Sequence, residues 1–181
     1  MTPERIEAIG EQLRDKITSK FTASTFLAGF ALTVLTGQAS FLWQAKDAIP
    51  PIFSLAVASV AAAFCLFIFA VIRLDELTMP KLFWEPPHWT STDLPADDVS
   101  LSYSDLWQLK KTMVRIWVSL TIPATVITSV AVVITFLPNT ITAVLPLQFR
   151  AGRLSTFVLV AVFSLAAIIY ARRTNRPFTP D

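Results

Sequence analysis

One histidine, His88, and one cysteine, Cys65, are the sole imidazole and thiol in a chain of 181 residues. A closed zinc site takes three or four such ligands, and a helical metalloprotease motif takes two histidines, so neither chemistry has its parts here. A serine nucleophile at membrane depth would need a histidine or lysine base beside it, and the apolar runs of the sequence contain neither. The acids Asp75, Glu76, Asp97 and Asp98 lie in a stretch without glycine, so they lack both the spacing and the sharp turn of a calcium-binding EF-hand loop. Gly10, Gly29, Gly37 and Gly152 stand too far apart to form a phosphate-cradling loop. The expectation is a protein without catalytic residues, bound metal or cofactor. With one cysteine there is also no disulfide within the chain.

What remains is a pattern of hydroxyls and glycines. Thr25, Gly29, Thr33, Thr36, Ser40 and Gln44 recur at intervals of 4, 4, 3, 4 and 4 residues, which places them on one side of a helix. Two readings fit. Either the stripe lines an aqueous path around a symmetry axis, or it makes a tight helix contact with hydroxyls bonding across it or back to the i−4 carbonyl. A second hydroxyl cluster, Ser119, Thr121, Thr125, Thr128 and Ser129, surrounds Pro123. Such residues can satisfy the backbone groups that a proline frees.

These residues need elements to hold them. With 54% hydrophobic and 15% charged residues, the chain is far more apolar than a soluble domain, in which about a quarter of residues are charged. Four apolar runs, residues 22–44, 50–72, 113–137 and 155–171, have about the length that crosses a hydrocarbon core. The expected fold class is therefore all-α: a single polytopic membrane domain over residues 1–181, with four transmembrane helices and an N-terminal amphipathic helix over residues 1–21. In that first segment Thr2, Pro3 and Glu4 form a helix start, and Ile6, Ile9, Leu13, Ile17 and Phe21 follow at helical spacing. The segment either lies on the headgroups or continues the first span as a stalk, and the absence of a helix end between Lys20 and Thr22 favours the stalk. Its acids Glu4, Glu7, Glu11 and Asp15 do not suit a cleavable signal, whose short leading region is positive.

The link from Lys46 to Pro51 is short and sets the first two spans antiparallel. Ala56, Ala58, Ser59, Ala61, Ala62 and Ala63 give the second span a surface that neighbours can approach closely. Residues 73–112 read as a cytoplasmic connector, irregular around Pro80, Pro86, Pro87 and Pro95, with aromatics Phe83, Trp84 and Trp89 available to dock on the membrane and a helix resuming near Asp105. Pro123 removes the bond to the Ser119 carbonyl and should kink the third span. Residues 138–154 read as a loop at the opposite interface.

Twelve of the fifteen Lys and Arg residues fall on the side of the termini and the connector, against Lys46, Arg150 and Arg153 on the other. The positive-inside rule then places both termini in the cytoplasm. The net charge of +2 is spread between these segments. It forms no basic patch, so nucleic acid is not an expected partner.

The run Ser19 to Gln38, SKFTASTFLAGFALTVLTGQ, is similar to the pore helix of Orai-type calcium channels, four-span membrane proteins in which a basic extension leads into a like Ser/Ala-Gly-Phe-Ala segment. Four spans, cytoplasmic termini, Pro50 and Pro51 at the start of the second span and the longest loop between spans two and three agree with that architecture. The resemblance implies a homo-oligomer whose first spans ring a central axis, with Thr22, Phe26, Gly29, Phe30 and Thr33 on or near the pore and Arg14 and Lys20 at its cytoplasmic mouth. Together with the hydroxyl stripe, the candidate lining becomes Thr22, Thr25, Phe26, Gly29, Phe30, Thr33, Thr36, Gly37 and Ser40. Eight residues after Gly29, where that family places its filter glutamate, this chain has Gly37 followed by Gln38. A glycine ring offers no carboxylates, so the resemblance does not carry calcium selectivity.

The resulting expectation is a non-enzymatic, homo-oligomeric integral membrane protein of a bacterial inner membrane, an ion channel or pore lined by the first span, with membrane lipid and its own copies as partners. The alternative is a structural or accessory subunit of a larger membrane complex, whose connector and tail meet a cytoplasmic protein partner.

Overall fold

The computed structural model describes residues 3–44, 51–78, 103–136 and 153–175. Helix α1 covers Pro3–Gln44, α2 Pro51–Thr78, α3 Tyr103–Ile116 and α4 Ile122–Phe136, with a π-helical segment Trp117–Thr121 joining the last two; α5 covers Arg153–Thr174. Four stretches are long and apolar enough to cross a membrane: Ala8–Gln44, Pro51–Thr78, Leu106–Thr135 and Leu154–Thr174. The chain is an all-helical integral membrane protein.

Helix α1 runs without a break from its charged first turns into the span, as the absence of a breaker between Lys20 and Thr22 requires. Its 42 residues measure about 63 Å at the α-helical rise, roughly twice the thickness of a hydrocarbon core, so a long part of α1 lies outside the lipid. Helix α2 continues past residue 72 to Thr78, and α3 begins at Tyr103, so the segment expected as connector is helical at both ends. A helix satisfies its own backbone and need not stop where the apolar run stops. The expected irregular part of the connector, with its prolines, aromatics and His88, the link after Gln44, the loop at 138–152 and the tail beyond Asn175 lie outside the described residues.

Helix α2 is the centre of the bundle, and α1, α4 and α5 each pack mainly on it. Half of its apolar stretch is buried, against 17–28% in the other three spans. The cause is its alanine content: Ala56, Ala58, Ala61, Ala62, Ala63 and Ala70 are buried on several sides of the helix, so three neighbours can approach at once. Larger side chains, Phe67, Leu66 and Leu74, fill the remaining gaps together with Ile116 and Leu120 from the third span. Three buried or half-buried polar pairs tie the helices at different depths: Ser24 to Thr121 at 3.2 Å, Gln38 to Thr135 at 2.9 Å and Ser54 to Thr156 at 2.8 Å.

Ala58 and Ala63 have no solvent exposure, so Ala63→Leu should destabilise the bundle by about 1–3 kcal/mol through overpacking. Ala58→Leu should do the same, while Val162→Leu on the exposed side of α5 should change little. Equilibrium unfolding in mixed micelles measures all three.

Candidate functional site

Helix α1 has two opposed faces. Leu13, Ile17, Ser24, Ala28, Ala31, Gln38 and Leu42 are buried against the bundle. Every residue expected to line a pore stands on the other side: Thr22, Thr25, Phe26, Gly29, Phe30, Thr33, Thr36, Gly37 and Ser40 are all exposed. Phe26 and Phe30 project from it with 76% and 49% exposure. A Cβ added at Gly29 or Gly37 would meet nothing within 4 Å. The stripe therefore makes no tight contact with the described residues of this chain. An open groove of about 600 Å³ follows its lower end, lined by Asp15, Thr18, Ser19, Thr22, Ala23 and Phe26.

The hydroxyls of this face are turned back on their own helix. Thr22, Thr25 and Thr33 donate to the carbonyls of Thr18, Phe21 and Gly29 at 3.0 Å. Thr36 and Ser40 donate to those of Leu32 and Thr36 at 2.9 and 3.0 Å. A hydroxyl has one proton and two lone pairs. With each proton committed inward, the outer surface of the stripe presents oxygen acceptors.

The two bases expected at the mouth part company. Arg14 is exposed on a flank of α1. Lys20 is half-buried on the bundle side, with Nζ 4.0 Å from the centre of the Trp117 ring. The helical period takes Lys20 to the same side as Leu13, Ile17 and Ser24, and the π-face of Trp117 holds its charge there. The outer face is instead continued below Thr22 by Thr18, Asp15 and Glu11, all exposed.

The region around Pro123 is wound as a π-helix, where the Ile122 N–H reaches the Trp117 carbonyl five residues back. This wider turn relieves the clash between the proline ring and the carbonyl four residues before it. That carbonyl, on Ser119, accepts a hydrogen bond from the Tyr170 hydroxyl of α5 at 3.3 Å. The hydroxyls nearby serve other groups: Ser119 donates to Arg115 O, Thr125 to Thr121 O and Thr128 to Ala124 O, while Thr121 pairs with Ser24. Asn175, buried at the end of α5, donates from Nδ2 to the Ser119 hydroxyl at 3.2 Å, and its carbonyl accepts from Arg73 of α2 at 3.2 Å. Arg73 also pairs with Glu76. The ends of α2 and α5 are thus fastened to the π segment.

Sequence reasoning missed Ser24, Gln38, Tyr170 and Asn175. Ser24 and Gln38 did carry a signal, being polar positions in phase with the buried face of α1. Gln38 is 3% exposed. The Thr135 hydroxyl gives its proton to Ala131 O at 2.8 Å and so must accept from the Gln38 amide nitrogen, which fixes the amide orientation. Gln38 Oε1 is left buried without a partner.

The other exposed faces differ in kind. Along the third span they show Val118, Ile122, Val126, Val130 and Val133, and along α5 Leu154, Phe157, Val158, Val162, Leu165 and Ile169. Both are surfaces made for lipid. Among the described residues no group of three or more His, Cys, Asp or Glu gathers as a metal site. No family model, curated protein or solved structure matches this chain.

Loss of the acceptor in Thr135→Val strands the whole Gln38 amide and should cost about 1–3 kcal/mol. Gln38→Met should cost less, since one of its polar atoms is already unpartnered and Thr135 keeps its bond to Ala131. Unfolding in mixed micelles compares the two. Equal losses would show that the Gln38 oxygen has a partner in the membrane.

Proposed function

We propose that this chain assembles with copies of itself in the membrane, α1 innermost, and that the assembly conducts small cations along the outer face of α1. The observation that supports this reading is the contrast between exposed surfaces. Two spans present branched aliphatic and aromatic side chains throughout, whereas α1 sets Thr25, Gly29, Thr33, Thr36, Gly37 and Ser40 beside Phe26 and Phe30 on the side turned away from its own bundle. Oxygen acceptors and glycines gain nothing from lipid. Around an axis they gain water or each other.

The cation preference follows from the hydroxyl orientation, since lone pairs at Thr25, Thr33, Thr36 and Ser40 face outward while their protons are held by α1 itself. The similarity of Ser19 to Gln38 to Orai-type pore helices favours the same arrangement, with Gly37 in place of a filter carboxylate. The charge count favours cytoplasmic termini under the positive-inside rule, and the compactness of the chain favours a bacterial inner membrane. Enzymatic activity forms no part of this function.

The test is mass in mild detergent followed by ion flux from liposomes. An oligomer with flux of small monovalent cations is expected. Thr33→Val should slow it several-fold, and Gly37→Glu should raise the preference for divalent cations by adding a carboxylate ring. An oligomer without flux, or conductance untouched by both substitutions, would make the face a packing surface. A monomer would overturn self-assembly and return the chain to the role of an accessory subunit that docks this face on another membrane protein.

A further inference from the structure

Resting on the reading of the outer α1 face as a contact between copies, we infer that the cytoplasmic part of α1 holds those copies together by charge, Arg14 of one against Asp15 and Glu11 of the next, in a closed ring.

Glu11 and Asp15 continue the line of Thr18, Thr22, Thr25 and Gly29 on the exposed side of α1, while Arg14 and Lys16 are exposed on its flanks. The opposite side is already occupied, by Leu13 and Ile17 in the core and by the contact of Lys20 with Trp117. Arg73 with Glu76 is the ion pair among the described residues, and it lies on α2. Glu11, Arg14, Asp15 and Lys16 therefore take no ion-pair partner among the described residues of their own chain.

Two copies meeting face to face across a two-fold axis would set Glu11 against Glu11 and Asp15 against Asp15. Like charges in register disfavour that contact. Rotating one helix so that its Arg14 flank meets the neighbour's acidic face replaces repulsion with attraction. Such a contact joins two different surfaces, so each copy offers a free flank on one side and a free face on the other. Repetition closes into a ring when the rotation allows. In that ring the copies lie parallel, as their shared orientation in the membrane requires.

An exposed ion pair changes association by about 1.5- to 5-fold, and each copy in a ring makes two such contacts. In the full-length protein in mild detergent, R14E and D15R should each lower the association constant at least about fivefold, with Arg14→Gln intermediate. The full exchange E11R/R14E/D15R should restore it, because face and flank again carry opposite signs. Raising salt from roughly 0.05 to 0.5 M shortens the screening length and should weaken the wild-type assembly but not a hydrophobic one.

Analytical ultracentrifugation reads the mass and circular dichroism checks that α1 stays helical. Single reversals that assemble like the wild type, or an exchange that fails to restore assembly with helicity intact, would overturn the charge pairing. A wild-type assembly of two copies would overturn the ring while leaving the α1 face as the contact. A disulfide between copies in Gly37→Cys reports the membrane half separately: its formation with silent charge reversals would sink this inference alone, and a wild-type monomer with no such disulfide would sink the underlying reading as well.

Discussion

A polar group in lipid has no water to turn to, and most of the internal arrangement of this protein is a response to that constraint. Serine and threonine hydroxyls return their protons to carbonyls one turn back, on α1 at five positions of the outer face and on the third span at Ser119, Thr125, Thr128 and Thr135. Where two such residues meet between helices they bond to each other, as Ser24 with Thr121 and Ser54 with Thr156 do. Pro123 lacks the N–H that would bond the Ser119 carbonyl, and Tyr170 reaches across from α5 to that carbonyl. These bonds work because α2, with its alanine surface, lets its neighbours come close enough to make them.

The same constraint gives the outer surfaces their meaning. A span that ends its contacts at lipid needs only apolar side chains there, and the third span and α5 have them. Helix α1 instead carries glycines and acceptor oxygens on its outer face, with Phe26 and Phe30 among them. Back-bonding makes those hydroxyls tolerable in lipid without making them useful there. Their arrangement over several turns, continued by Asp15 and Glu11 beyond the apolar run, supports a single polar edge that runs the length of α1 and meets something other than acyl chains.

Much of this was legible in the sequence. The four spans followed from apolar run length, the continuity of α1 from the lack of a breaker near Phe21, and Thr25, Gly29, Thr33, Thr36 and Ser40 of the outer face from a helical period, while Thr22, Phe26, Phe30 and Gly37 came from the resemblance. The period alone did not reveal whether that face turns toward its own bundle, because either choice buries something: Leu13, Ile17, Ala28 and Ala31 on one side, Gly29 and Gly37 on the other. The answer depends on α2, whose alanines accept the first set. Lys20 shows the same dependence on a distant partner, since it is in phase with Ile17 and Ser24 and Trp117, nearly a hundred positions away in the chain, receives it. Pro123 marked the Ser119 carbonyl as short of a partner, but that Tyr170 and Asn175 reach Ser119 depends on how α5 packs beside the third span, which no spacing in the sequence shows.

The central claim is that the outer face of α1 is shielded from lipid. Nitroxide labels at Thr33 and Gly37, compared with labels at Val162 and Leu165 on α5, test it in the reconstituted full-length protein with Cys65 replaced by alanine. Oxygen concentrates in acyl chains and a nickel chelate stays in water, so the collision rates with each report what touches the label. The two α5 positions should show the high oxygen and low nickel rates of a lipid surface, and the two α1 positions should show oxygen rates several-fold lower, with nickel access if the face lines water. Oxygen collision at Thr33 and Gly37 equal to that at Val162 and Leu165 would mean that α1 faces lipid and would contradict the account.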